Sequence, residues 1–192
     1  MGNRRYRRNT TNASTGLGAS TYRKSNQRYQ NLDSRRSKTG SKQTLNSGVY
    51  VLEIFAEKNF SVRIKKFAGR IFSAGYYYYI GSAQKNLKQR LTRHLSKNKI
   101  IHWHIDHITT IKSNITKSIF ISFGSSKDLE CELANCFEQI HNIDRSILGF
   151  GNSDSNCSST HLFFSKKKIV YSHLFSLYQS MVRLIPSDID TL

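Results

Sequence analysis

"GYYYYIGSAQKNLKQRLTRHL", residues 75–95, decides how the chain is read. Its first half is a run of β-favouring aromatics closed by Ile80 and Gly81, which predicts a strand. The second half opens "NLKQRLTRHLSKN" (86–98), where Leu87, Leu91 and Leu95 stand at i, i+4 and i+8, the stripe of a helix resting on an apolar surface. Arg90 and His94, four residues apart, fall together on a flank of that stripe. Strand alternation sends Tyr77 and Tyr79 to one face and Tyr76 and Tyr78 to the other, so one pair can be core.

Outward from this stretch the punctuation is regular. "GVYVLEIFA" from Gly48 reads as a strand, and "VRIKKF" (62–67) alternates like a second, with Gly69 as its turn. "SIFISFG" (118–124) reads as a buried strand. "SSKDLECELANCFEQI" has a capping look, with Ser126 ahead of Asp128 and Glu130, and predicts a helix with Leu129, Leu133, Cys136, Phe137 and Ile140 on one face and Glu130 at its edge. The glycine-rich "GFGNSD" (149–154) leads into "HLFF", a last strand. "VYSHLFSLYQSMVRLIP" repeats apolar residues at Val170, Leu174, Tyr178, Met181 and Ile185, an amphipathic helix ended by Pro186. The expected organisation is therefore a tail over 1–46, a folded domain over 47–166, and a C-terminal helix within 167–192 packed on that domain.

The tail is a different material. It holds eleven Lys and Arg against the single Asp33 and has almost no aliphatic residues, so it cannot bury a core and is expected to be disordered. The whole chain carries 30 Lys and Arg against 12 Asp and Glu, a formal charge of +18. Such an excess favours a polyanionic partner, nucleic acid first and an anionic membrane surface second. No run of about 18 apolar residues exists, so no membrane-spanning helix is expected. Cys131, Cys136 and Cys157 form an odd set without zinc-ribbon spacing, which indicates no disulfide framework and an intracellular, reducing setting, cytoplasm or nucleus. The Arg- and Ser-rich start leaves organelle import open, and no feature identifies a protein partner.

Certain residue types here suit phosphodiester chemistry. A phenol can donate to a phosphate or orient a water, an arginine offers a planar fork to the same oxygens, and a carboxylate can hold magnesium. In "HWHID", His102, His104 and Asp106 would share one face if extended, a spacing open to a metal or to a polar structural cluster.

"GVY" (48–50), "YIG" (79–81), Arg90 with His94 on the next helix, and Glu130 followed by Leu133 and Ala134 together resemble the GIY-YIG nuclease superfamily. The blocks "AGYYYYIGSA", "RHL", "HWHID", "ECELA", "GFGNSD" and "HLF", in that order over roughly 47–165, look like one branch of it, whose domains stand alone or fused to endonuclease III-type glycosylases. The resemblance implies an α/β (α+β) fold, a small sandwich whose mostly antiparallel sheet carries the two tyrosines and is flanked by helices. It implies a divalent-metal-dependent DNA endonuclease, with DNA repair suggested by the fusion partners alone. By motif position Tyr50 and Tyr79 would bind or activate the attacking water, Arg90 would stabilise charge on the phosphate, and Glu130 would ligate Mg2+ or Mn2+. His94 or His104 would assist as acid, base or phosphate donor, and Arg90, Arg93 and Lys97 would grip the nucleic acid, DNA ahead of RNA.

Three departures stand out. GVY replaces GIY; residues 51–78 separate the two tyrosine motifs, so a hairpin around "VRIKKF" has to be accommodated; and Ser155 stands in "SDSNC" where the branch has a cysteine. A non-catalytic nucleic-acid-binding module on the same fold is the alternative reading.

Overall fold

The structure, a computed structural model, describes residues 46–140, 143, 147–152, 158–170 and 181–192. The basic tail, up to residue 45, lies outside the described residues.

Five strands form one antiparallel sheet in the order β4-β2-β1-β3-β5. β1 (Gly48–Ala56) is central, and eight of its nine residues are buried, as a strand covered on both faces requires. β2 (Gly75–Ala83) pairs with it so that Tyr50 lies opposite Gly81 and Leu52 opposite Tyr79. β3 (Asn114–Phe123) flanks its other side, with a register shift between Glu53 and Ile54 that re-aims the end of the strand. β4 (Leu162–Ser165) and β5 (Val182–Leu184) close the two edges. The expected α+β class, a mostly antiparallel sheet flanked by helices, is what is found.

Two cores sit on the two faces. Tyr50, Leu52, Ile54, Tyr77, Ile119 and Ile121 meet α1 (Leu87–Leu95) and α2 (Asp106–Thr109) through Leu87, Leu91, Ile105 and Ile108. Val49, Val51, Tyr78, Ile80 and Phe120 meet α3 (Asp128–Glu138) through Leu133, Ala134 and Phe137. Each buried leucine of α1 contributes about 1.5–3 kcal/mol over leaving it exposed, so tertiary packing holds this nine-residue helix, too short to persist alone. Tyr77 and Tyr78 are both fully buried, on opposite faces, so core packing takes one tyrosine from each pair and leaves Tyr76 and Tyr79 half-buried.

Four expectations are corrected. "VRIKKF" is not a strand: Lys65–Phe67 is a short 3-10 turn. The excursion is pinched instead by one bridge, where Phe60 and Phe72 exchange backbone hydrogen bonds of 2.9 and 2.8 Å and stack their rings at 5.2 Å. Among the described residues 62–67 pairs with no strand, and Val62 and Phe67 reach the core as single anchors. The C-terminal helix does not extend over Val182–Leu184, which pair with the edge of β3 as β5; its stretch 171–180 lies outside the described residues. The N-terminus of α3 is closed by the backbone bond Leu129 N to Ser126 O, 3.2 Å, and by no side-chain cap. Cys136 is a free thiol whereas Cys131 is disulfide-bonded, for an odd count forbids complete pairing but leaves room for one bond.

Candidate active site

β4 pairs with β2 only over Tyr76–Tyr79, and Ile80 N then donates to His161 O at 3.0 Å. Beyond this point the edge of β2 lies open on that side, at the end of the sheet where α1 and the start of α3 arrive from opposite faces. Alternation points Tyr79 and Gly81 towards α1 and Ser82 towards α3. Around this corner lies a cleft of about 260 Å³, lined by Tyr50, Tyr79, Arg90, His94, His104 and Glu130, with Ser82, His102, Trp103, Lys127 and His161 completing its walls beside Gly81 and Gly151. The six residues expected to be catalytic, drawn from β1, β2, α1, the 96–105 loop and α3, thus share one wall system.

Glycine at position 81 is dictated by packing. A Cβ there would stand 2.7 Å from the Tyr50 ring, so only the bare backbone lets that ring lie across β2. Its hydroxyl then meets His94 Nε2 at 2.8 Å. Burial raises the Tyr50 pKa well above the ordinary phenol value; Tyr79 adds to this and Arg90 opposes it. His94 is lowered to about 3, first by burial and then by the Lys99 charge. Near neutral pH the pair is therefore a phenol and an uncharged imidazole, and the tautomer sets which of them donates. His94 also meets Tyr79 edge-on at 6.2 Å and Trp103 at 5.6 Å.

Arg90 is aimed by two contacts. Nη1 donates to the Ser82 carbonyl at 2.7 Å, and the guanidinium lies 4.8 Å from the centre of the Trp103 ring. Among the described residues no carboxylate lies within ion-pair distance of it. Across the cleft Glu130 accepts from Ser82 Oγ at 2.7 Å through Oε2, while its Oε1 lies 3.5 Å from His161 Nδ1. One residue, Ser82, thus holds both the arginine and the carboxylate. His104 Nδ1 accepts from Gly151 N at 3.3 Å, tying the second glycine loop to the site.

The other two residues expected to grip nucleic acid are spoken for. Lys97 donates to the carbonyls of Thr109, Ile111 and Asn114 at 2.8, 3.0 and 2.5 Å, closing the turn after α2. Arg93 binds Asp106 at 2.6 Å and the Ile100 carbonyl at 2.7 Å. "HWHID" is a turn, not an extended segment: Asp106 is fully buried and accepts from the backbone of His102 and Trp103 at 2.9 and 3.0 Å while Lys99 lies 3.2 Å away. These partners make the cluster a polar structural knot; among the described residues no three His, Cys, Asp or Glu gather as a metal site. Ser82, Trp103, Lys127 and His161 belong to the site without having been singled out. Ser82, Trp103 and His161 stand inside the quoted motif blocks "AGYYYYIGSA", "HWHID" and "HLF", while Lys127 stands in none of them.

No curated protein and no solved structure matched the chain. The family described as "Domain of unknown function DUF123" matches residues 49–183, a span that contains every residue of the cleft, and the chain belongs to that family.

Proposed function

We propose that the cleft is the active site of a divalent-metal-dependent endonuclease of the GIY-YIG type that hydrolyses phosphodiester bonds in DNA. The observation that carries this reading is the convergence of Tyr50, Tyr79, Arg90, His94 and Glu130 on one 260 Å³ cleft from four separate elements. The chemistry follows from the parts. Arg90, held by a carbonyl and an indole face, keeps its charge for an incoming phosphate and for the negative charge that grows on it during attack. Tyr79, half-buried at the cleft wall, is placed to donate to a phosphate oxygen or orient a water. Tyr50 is backed by neutral His94, whose Nε2 lies 2.8 Å from its hydroxyl and orients it.

Glu130 fits the role of cation holder: one oxygen is fixed by Ser82 and the other is turned into the cleft. A single carboxylate, with water and phosphate filling the remaining positions, suits Mg2+ or Mn2+, which would supply Lewis-acid polarisation of the phosphate. Outside the cleft, the formal charge of +18 supplies sequence-independent, salt-sensitive affinity for nucleic acid.

The test is cleavage of labelled single-stranded, duplex, branched and abasic DNA, with an RNA control, in magnesium, manganese or chelator, beside Glu130→Gln and Arg90→Ala. Metal-dependent cutting that disappears in both variants while binding persists is the expected result. Binding without cutting of any substrate replaces the nuclease reading with that of a nucleic-acid-binding module, and preferential cutting of RNA reassigns the substrate.

A further inference from the structure

We propose that His161 is a second protein ligand, beside Glu130, for the divalent cation of this cleft, and that the site therefore prefers manganese to magnesium. The inference rests on the nuclease reading for the presence of a cation and goes beyond it in the donor set and the ion.

The geometry carries it. His161 is held through its main chain, donating to Phe150 O at 2.9 Å and accepting from Ile80 N at 3.0 Å, which sets its backbone beside the open edge of β2. Its side chain is 4 % exposed and that of Glu130 is 9 % exposed, yet both line the cleft. The 3.5 Å between Nδ1 and Oε1 is long for a charge-assisted hydrogen bond, which prefers about 2.7–2.9 Å. It does match two donors on one ion: bonds of about 2.1–2.2 Å meeting at angles between square and tetrahedral put the donor atoms about 3.0–3.5 Å apart. Ser82 already occupies Oε2 at 2.7 Å, so the oxygen turned to His161 is the one left for a metal, and the serine hydroxyl acts as the outer partner that orients it.

Two protein ligands leave the rest of the shell for water and phosphate, as a catalytic site needs. An imidazole nitrogen in the set moves selectivity away from magnesium, which favours oxygen, towards a first-row transition ion. Arg90 and Lys127 line the same cleft and oppose cation binding until a phosphate neutralises them, so the free protein should hold the ion weakly.

The experiment uses the full chain and Mn2+ alone, read by titration calorimetry and by pulsed electron paramagnetic resonance for 14N coupling, with Mg2+ titrated in parallel. The variants are His161→Gln, His161→Asp and Glu130→Gln, each checked for an unchanged melting temperature. Expected are nitrogen coupling in the parent protein, its loss in both His161 variants, and Mn2+ affinity about tenfold or more weaker in His161→Gln. His161→Asp, which restores a ligand of the harder kind, should recover binding and shift preference towards Mg2+, a rescue that a merely structural histidine would not show. Mn2+ binding that needs Glu130 but shows no nitrogen coupling, or coupling that survives in His161→Asp, overturns the inference and leaves the single-carboxylate nuclease site intact. Mn2+ binding indifferent to both Glu130 and His161 removes the cation from this cleft and takes the inference with it.

Discussion

Helix α1 borders two polar regions that differ in what they do with charge. On one side, Asp106 is fully buried and takes four partners: Arg93, Lys99 and the backbone N–H groups of His102 and Trp103. On the other, Arg90 rests on a carbonyl and an indole face and opens onto the cleft. Arg90 and Arg93 are three residues apart and flank the same Trp103 ring at 4.8 and 5.0 Å, yet one is neutralised by a carboxylate and the other is not. The difference teaches that basic residues near a candidate site have to be sorted by partner before they are assigned to a ligand. The Asp106 knot spends its cations on holding the 96–105 loop, and by fixing that loop it sets Trp103 behind Arg90.

Breaking the knot should have the largest effect. Asp106→Asn leaves Lys99, whose side chain is 3 % exposed, without its counter-charge, along with the neighbouring Arg93. Removing one partner of a buried pair costs about 3–5 kcal/mol. Urea unfolding monitored by far-UV circular dichroism should show the midpoint falling accordingly. A change below about 1 kcal/mol would mean that the loop holds without its carboxylate and that the two regions are not distinguished in the way described.

The cleft side sharpens the same contrast within a single strand. Tyr77 is buried and donates to the Ser73 carbonyl at 2.6 Å, whereas Tyr79 lines the cleft. Tyr79→Phe should lower the cleavage rate by about 10²-fold or more with little change in unfolding midpoint, since lost acid, base or orienting hydrogen bonds cost at least that. Tyr77→Phe should do the reverse, losing about 1 kcal/mol of stability with its hydrogen bond and keeping full cleavage. Equal rates in the two variants would separate Tyr79 from the chemistry.

How far the sequence carries this picture follows from range. β1, β2, α1 and α3 were legible because each is announced by its own periodicity, and Tyr50, Tyr79, Arg90 and Glu130 because a motif marks them. Their convergence needed tertiary structure: Ser82 joins Arg90 to Glu130 across both faces of the sheet, a contact no local pattern encodes. Lys97 reads as a grip on nucleic acid until the carbonyls of Thr109, Ile111 and Asn114, more than ten residues away, are seen to claim it. The alternation of "VRIKKF" was genuine, but a strand also needs a pairing partner: β1 is paired on both sides by β2 and β3, and Lys65–Phe67 turns as a 3-10 segment instead. The end of the predicted C-terminal helix failed for the converse reason, because the edge of β3 offered Val182–Leu184 partners that helical periodicity cannot register.

His94 touches both regions, so its titration measures how they are joined. Its hydroxyl partner Tyr50 belongs to the cleft, while Lys99, from the knot, is held 3.2 Å from its carbonyl and helps suppress its charge. With a folded pKa of about 3, below the ordinary value of 6.5, the unfolded chain takes up a proton that the folded chain refuses. The stability that follows is fully present above pH 6.5 and is lost as the pH falls towards 3. His107 and His161, also lowered, add loss in the same direction, and Asp106 adds its own at more acidic pH. Glu53, raised by burial, works against them, so the parent curve alone is not diagnostic. The difference curve is. His94→Gln should be less stable than the parent at pH 7, and the gap should narrow on acidification by up to about 1.4 kcal/mol per pH unit, the equivalent of one proton. Unfolding midpoints measured at half-unit steps from pH 7 to pH 4 give that slope directly. A gap that stays constant would mean that His94 titrates alike in both states, and that the cleft is as open to water at Tyr50 as it is at Arg90.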